Sequence, residues 1–486
     1  MTDKEYIERL IEKKENIFIE ASDKIWDNPE LYFHETIAAE TLKEILKKEE
    51  FEVLENVDDI PTAFIGSYGS GKPVIAILGE FDALPGLNQK AFLDKKEEII
   101  QGAPGHGCGH NAIGSGSLSA AVAVKDYMKE NNLSGTIKYF GCPAEEAGWG
   151  KMFLARDGFF SDVDAAITWH PAGINRVQGS SSLANLCMMF HFKGKTAHAA
   201  GAPHLGRSAL DACELMNVGV NYLREHIIPE ARVHYAYLDT GGPAPNIVQD
   251  QASLKYFVRA PKIKQALEIA ERVKKVAQGA ALMTETEVEI EFKAGMCDYV
   301  PNEVISKTMT EALFEIGAPK FDEEDEKVAR KFFETVSQNK ISAALKRASE
   351  SYDNVERFRE MVLITEVAPF RKIDSYGFGS TDVGDVSYSV PTAQLHLASL
   401  ANGTPGHSWQ VTAQGKTKYM HKALITAGKI LALTATKLLK NPKILKEAKI
   451  EYVNVTGGKY ICPVGKDVKP ETVSYTHLRA HETDSY

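Results

Sequence analysis

Three apolar runs in this chain each end in side chains able to carry chemistry, and that recurrence restricts the possible folds more than any other feature. Pro73 to Leu78 is followed by Glu80 and Asp82, Thr136 to Phe140 by Glu145 and Glu146 across a Cys142-Pro143 turn, and Ala165 to Trp169 by His170. A short continuous apolar run is the pattern of a strand buried on both faces, as in a parallel sheet covered by helices. Between the first two lies Ala112 to Met128, rich in Ala, Ser and Val and free of proline, which reads as a tightly packed helix. Open α/β sheets gather their ligands beyond the C-terminal ends of the strands, where these acids and histidines are expected to stand.

The 486 residues exceed what one hydrophobic core usually holds, so more than one domain is expected. Residues 4 to 24 and 35 to 49 carry apolar positions at helical spacing and predict two surface helices at the start. From about Leu183 the order of elements changes to strand, helix, strand, strand, helix, strand, ending near Cys297. That order predicts a ferredoxin-like insertion. The chain then returns to alternating helices and short strands, including Thr392 to Leu397, and closes with a helix over 420–440. The expected architecture is α/β: a catalytic domain with a mostly parallel sheet flanked by helices, split into residues 1–182 and 299–472 by an α+β lid or dimerisation domain over 183–298. Residues 473–486 break the preceding pattern and read as an adapter-derived scar that forms no part of the expected fold.

A formal net charge of -10 disfavours a nucleic-acid groove, which needs clustered Lys and Arg. No apolar run reaches membrane-spanning length and the polar start shows no secretory pattern, so a soluble, cytoplasmic protein is expected. Six scattered cysteines predict no disulfide framework. Cys108 stands apart from the other five, because it lies in Gly105-His106-Gly107-Cys108-Gly109-His110-Asn111. Glycines there let a thiolate and an imidazole two residues apart face one divalent ion, although a buried thiol beside a structural histidine fits the stretch equally well. Glu145-Glu146 offers two carboxylates, one to bind metal and one to take a proton. His170 is a third donor. Farther along, His407 in Pro405-Gly-His-Ser-Trp409 competes with His396, and His407 is preferred because His396 sits inside an apolar strand.

In chain order, Gly-His-Gly-Cys-Gly-His-Asn, Cys-Pro-Ala-Glu-Glu, Trp-His-Pro, Gly194-Lys-Thr-Ala-His198-Ala-Ala and Pro-Gly-His-Ser-Trp resemble the amidohydrolase branch of the dinuclear metallo-aminoacylase and carboxypeptidase family. The resemblance implies two divalent metal ions, Zn or Mn, held by Cys108, His110, Glu146, His170 and His407, with Glu145 as general base. It places Asp82 as an acid supporting the metal site. Glu80 departs from the pattern, occupying the place where other branches have a ligand histidine. Catalytic His198, in the insertion, would steady the oxyanion from a partner subunit of a homodimer, while Asn246 and Arg259 would bind the substrate backbone or its carboxylate. The implied reaction is hydrolysis of an amide in a small N-acyl amino acid, an aminobenzoyl-glutamate-like compound or a dipeptide. Two other classes stay open on the residues alone: an amidase with Cys108 as nucleophile, and a non-catalytic metal- or peptide-binding relative.

Overall fold

A computed structural model describes residues 1–377 and 379–470; the proposed scar lies outside them. In chain order the strands are β1 (Glu52–Glu55), β2 (Phe64–Ser70), β3 (Val74–Glu80), β4 (Gly135–Cys142), β5 (Ala165–Ala172), β6 (Arg176–Val177), β7 (Ala184–Lys193), β8 (Arg232–Asp239), β9 (Gln251–Ala260), β10 (Glu287–Met296) and β11 (Thr392–Ala398). Seven of them form one sheet in the order β1-β2-β4-β3-β5-β11-β6. Its centre, β4-β3-β5-β11, is parallel, and antiparallel strands finish both edges. β3 is buried at every position, as its unbroken apolar run requires.

The helix His110–Asn131 lies against this sheet and is buried nearly all round, with the helix Lys418–Lys440 on its other side. Small residues make this close approach possible. A Cβ on Gly116 would meet Trp169 Nε1 at 2.9 Å and Leu424 O at 3.0 Å, while Trp169 Nε1 donates to Ile113 O at 3.2 Å. The Ala- and Ser-rich composition is therefore a packing requirement as well as a helix preference.

β7 to β10 form a second, antiparallel sheet in the order β10-β7-β9-β8. Helices Ala209–Leu223 and Ile263–Thr284 cover one face and share its core through Met216, Val220, Ala270 and Val273. This is the β-α-β-β-α-β order with ferredoxin-like strand arrangement.

Some local expectations need correcting. The first predicted helix is two, Asp3–Glu12 and Glu15–Asp27, and Ile7, Leu10, Ile11 and Phe18 drive one face of the pair into the main core. Residues 303–348 hold three successive helices rather than alternating helices and strands, with β11 the single strand among the described residues after 299. His170 lies inside β5, two residues before its end, because β11 pairs alongside through Ala172.

Candidate metal centre

Gly109 has a left-handed backbone (φ +84°), a conformation glycine adopts at no steric cost. The turn it makes puts Cys108 just ahead of the helix and His110 at its first residue. His110 Nδ1 lies 2.8 Å from Asp82 Oδ1, and the other Asp82 oxygen accepts from the Glu146 backbone N–H at 3.0 Å. Asp82 thus ties β3 to the Glu145–Glu146 turn and draws the imidazole hydrogen to Nδ1. His110 Nε2 is buried without a hydrogen-bond partner, 3.5 Å from Glu80 Oε2 and 3.7 Å from Glu146 Oε1. Glu146 Oε1 is also buried and lacks a hydrogen bond.

The remaining donors close around this pair. His170 Nδ1 donates to Pro171 O at 2.8 Å, which turns Nε2 toward Cys108 Sγ, 3.3 Å away. His407 Nε2 lies 3.4 Å from Glu146 Oε2. Two donor groups result, Cys108–His110–His170 and Cys108–Glu146–His407, each with its ligand atoms within 4.8 Å of one another. Ligand bonds of about 2.0–2.3 Å in tetrahedral array put donor atoms roughly 3.3–3.8 Å apart, and the Cys108–His170 and Glu146–His407 separations of 3.3 and 3.4 Å fall in that range. The donor set fits a divalent ion, and Cys108 is common to both groups. A third group, Glu80–His110–Glu145, adjoins them.

Electrostatics point the same way. Burial, with the charges of Glu80, Glu146 and Asp382, pushes Glu145 well above the usual carboxylate range, and burial also raises Glu146. Such a cluster of acids needs cations to remain ionised. Against the burial that would lower it, His110 is held well above its usual value by Cys108 and Asp82. Asp82 is the effective anion of the two, because burial and Glu146 push the Cys108 thiol itself strongly upward. Without a bound cation Cys108 would stay a thiol at neutral pH, which argues against an independent cysteine nucleophile.

Three supporting residues escaped the sequence reading. Lys151 Nζ is wholly buried, 2.9 Å from Glu80 Oε1 and 2.5 Å from Asp382 Oδ1. Although burial opposes it, Lys151, followed by His110 and His170, keeps Glu80 below the usual range. The departure at Glu80 is therefore matched by an internal cation. Glu35 Oε1 accepts from Phe33 N at 3.0 Å and Ala144 N at 2.9 Å, and its Oε2 accepts from Thr62 Oγ1 at 2.9 Å. Ala144 has φ +62°, a strained conformation for a residue with a Cβ. Glu35 thus braces the backbone that presents Glu145. The sequence signal for these residues is weak, since each acts through partners distant along the chain.

The profile of peptidase family M20/M25/M40 matches residues 76–405. The chain belongs to this family. It is 44% identical over 471 residues to a p-aminobenzoyl-glutamate hydrolase subunit of Escherichia coli (strain K12), covering 96% of this chain and 98% of the relative. A mouse (Mus musculus) Xaa-Arg dipeptidase is 27% identical over 443 residues, covering 89% and 88%. Among solved structures, an aminobenzoyl-glutamate utilization protein from Klebsiella pneumoniae shares the fold with TM-score 0.57 at 16% identity, covering 88% of this chain and 98% of that one. A dinuclear metal-binding M20 peptidase from Bacillus subtilis does so with TM-score 0.54 at 19% identity, covering 90% and 99%. This M20 chain is a metal-dependent hydrolase of amide or peptide bonds.

The structure brings Cys108, His110, Glu145, Glu146, His170 and His407 together, along with Glu80 and Asp82. The other expected site residues stand elsewhere in the chain. His198 is exposed in the insertion, with Nδ1 accepting from Ala200 N at 3.2 Å and Gly201 N at 3.0 Å, so its hydrogen lies on Nε2. Asn246 is exposed, its carbonyl accepting from Ala199 N. Arg259 is half-buried and donates to Ser380 Oγ at 3.0 Å. His106 lies outside all three donor groups, and burial lowers it to about 4 while Nε2 donates to Ile25 O at 3.1 Å. The expectation that His396 merely packs in its strand is incomplete. Its ring, 6.2 Å from that of His170, borders a cavity.

Proposed function

We propose that Cys108, His110, Glu146, His170 and His407 hold two divalent cations, Zn or Mn, and that Glu145 is the general base for amide hydrolysis. The observation that carries this reading is the pair of donor groups sharing Cys108, with Glu145 beside them. Cations there would polarise the amide carbonyl and acidify a water molecule. They would also lower the Glu145 carboxyl from its raised value, so that it is ionised and able to accept a proton. Glu145 takes the proton of the attacking water and returns it to the leaving amine. Asp82 holds His110 in the tautomer that turns Nε2 to the cation. The thiolate donor favours Zn, while the carboxylates admit Mn.

In this reading residues 183–298 are a lid and dimerisation domain set into a catalytic domain made of 1–182 and 299–472. His198 of a second subunit supplies its Nε2–H to the oxyanion, and Asn246 and Arg259 bind the substrate's backbone or carboxylate. An exposed apolar face supports the homodimer: Leu215, Val218 and Tyr222 lie along one side of the helix Ala209–Leu223, and β8 is a sheet edge with Tyr235 and Leu238 exposed. Substrates are small N-acyl amino acids or dipeptides, with p-aminobenzoyl-glutamate the first candidate because of the 44% identical relative. The protein works in the cytoplasm; no helix among the described residues is long and apolar enough to cross a membrane.

Glu145→Gln tests the mechanism. The variant should bind metal as the parent does, by elemental analysis, and lose roughly 10²–10⁴-fold in kcat on p-aminobenzoyl-glutamate. Turnover near the parent level would overturn the assignment of the base.

A further inference from the structure

Residues 460–468 run as a strap across the junction between the insertion and the catalytic half, and the chemistry described so far does not use them. Tyr460 packs against the core cluster of each half, and its hydroxyl donates to Asp385 Oδ1 at 2.7 Å. The other Asp385 oxygen accepts from Cys297 N at 3.2 Å, directly after β10 ends at Met296. One buried carboxylate, on the helix Val383–Ser389, therefore holds both the chain leaving the insertion and the strap that crosses it.

Farther along, the strap grips both sides of the same junction. On the insertion side Gly295 lies so close to Pro463 that a Cβ there would meet the proline Cγ at 2.9 Å. On the catalytic side Cys462 Sγ donates to Met152 Sδ at 3.3 Å, and Arg156 Nη1 donates to Gly465 O at 3.1 Å and Val468 O at 2.7 Å. Met152 and Arg156 belong to the helix Gly150–Arg156, which also carries Lys151, while the ion-pair partner Asp382 is the N-cap residue of Val383–Ser389. The strap is thus fastened to the two helices that position the buried ion pair beside the metal donors. Away from the end of β10 it stands clear of the insertion: a crevice of about 730 Å³ opens there, with Leu267, Ile290 and Phe292 on one wall and Pro463 and Val468 on the other. Attachment at the end of one element, with open space beyond it, is the geometry of a hinge.

We infer that residues 460–468 are a latch that sets the resting position of the lid against the catalytic half, by tying the end of β10 to the helices that carry Lys151 and follow Asp382. The inference rests on the reading of residues 183–298 as a lid, and adds to it a part of the chain outside that domain. The hydrogen bonds of the latch lie at the junction and outside both strand ladders, so they can be lost while each core stays folded. A hydrogen bond to a charged group shifts a local opening equilibrium by about tenfold or more. Substrate that meets a displaced lid must first restore it, which raises the apparent KM in proportion to the fraction displaced.

The test compares the metal-loaded parent with Tyr460→Phe and with Tyr460→Phe/Arg156→Leu. Phenylalanine keeps the ring packed against both cores and leucine keeps part of the apolar stem, so the hydrogen bonds of the latch are what is removed. Hydrogen exchange over residues 287–297, read by mass spectrometry, should quicken about tenfold in Tyr460→Phe and further in the double variant, while exchange in β3 stays as in the parent. With p-aminobenzoyl-glutamate the double variant should raise KM at least about threefold and change kcat by less than about twofold. Unchanged exchange over residues 287–297, a rise shared by β3, or an unchanged KM would overturn the latch. If the parent does not turn the compound over, the hydrolase reading fails separately and the exchange measurement alone decides: faster exchange confined to the junction supports the latch, and exchange equal to the parent's overturns it.

Discussion

Lys151→Met should be among the most damaging single substitutions in the catalytic half, although Lys151 belongs to none of the three metal-donor groups. Its Nζ lies 2.9 Å from Glu80 and 2.5 Å from Asp382, and the three side chains are 0%, 5% and 0% exposed. At an effective dielectric of about 20, charges near 2.7 Å attract by roughly 6 kcal/mol per pair, most of it offset by desolvation. Methionine keeps the length of the side chain and removes the cation, leaving two buried carboxylates. Breaking a buried pair in this way costs about 3–5 kcal/mol. The loss is read from urea unfolding of the metal-free protein, by circular dichroism.

It should also depend on pH with a definite sign. Without Lys151 the folded-state pKa values of Glu80 and Asp382 rise above their unfolded values, so the folded state binds more protons than the unfolded chain. The penalty therefore grows as pH rises above about 4 and levels off beyond the raised values. Asp382 already lies at about 6 with Lys151 present, raised by burial, so the penalty should be larger at pH 8 than at pH 5. The variant Glu80→Gln/Lys151→Met/Asp382→Asn removes all three charges of this cluster together and should recover most of the loss. A deficit under about 1 kcal/mol at pH 8, or one equal at the two pH values, would refute this account of the cluster.

Asp82→Asn should weaken metal binding about 10–100-fold, measured by competition with a chelating dye, because the His110 Nδ1 contact at 2.8 Å loses its carboxylate; unchanged affinity would remove Asp82 from the site's support. Tyr222→Glu, at a position 73% exposed on the proposed dimer face, should shift the protein from dimer to monomer in sedimentation velocity. Parent protein that sediments as a monomer at working concentration would contradict both the dimer and the role of His198 across it.

The candidate metal donors were legible because each lies in a short motif whose residues offer metal-binding atoms. Gly109 turns the chain between Cys108 and His110, and the apolar runs of β3, β4 and β5 are recognisable as buried strands without any partner in view. Strand ends were less legible. The extension of β5 past His170 depends on pairing with β11, more than two hundred residues later, and no local signal encodes that partner.

The supporting shell was not legible for the same reason. Lys151 stands near the start of an ordinary short helix, and its partner Asp382 is 231 residues away. Glu35 was one acid among many until the fold placed it under Ala144, 109 residues on. The latch likewise joins Tyr460 and Arg156 to partners far away in the chain. Sequence alone determined the α/β class and the ferredoxin-like insertion, because hydrophobic periodicity acts over a few residues, and its ordered short motifs carried the family resemblance that implies the chemistry. Only the tertiary structure decided how buried charge is compensated and what the latch grips, because electrostatic interactions act through space and burial sets their strength.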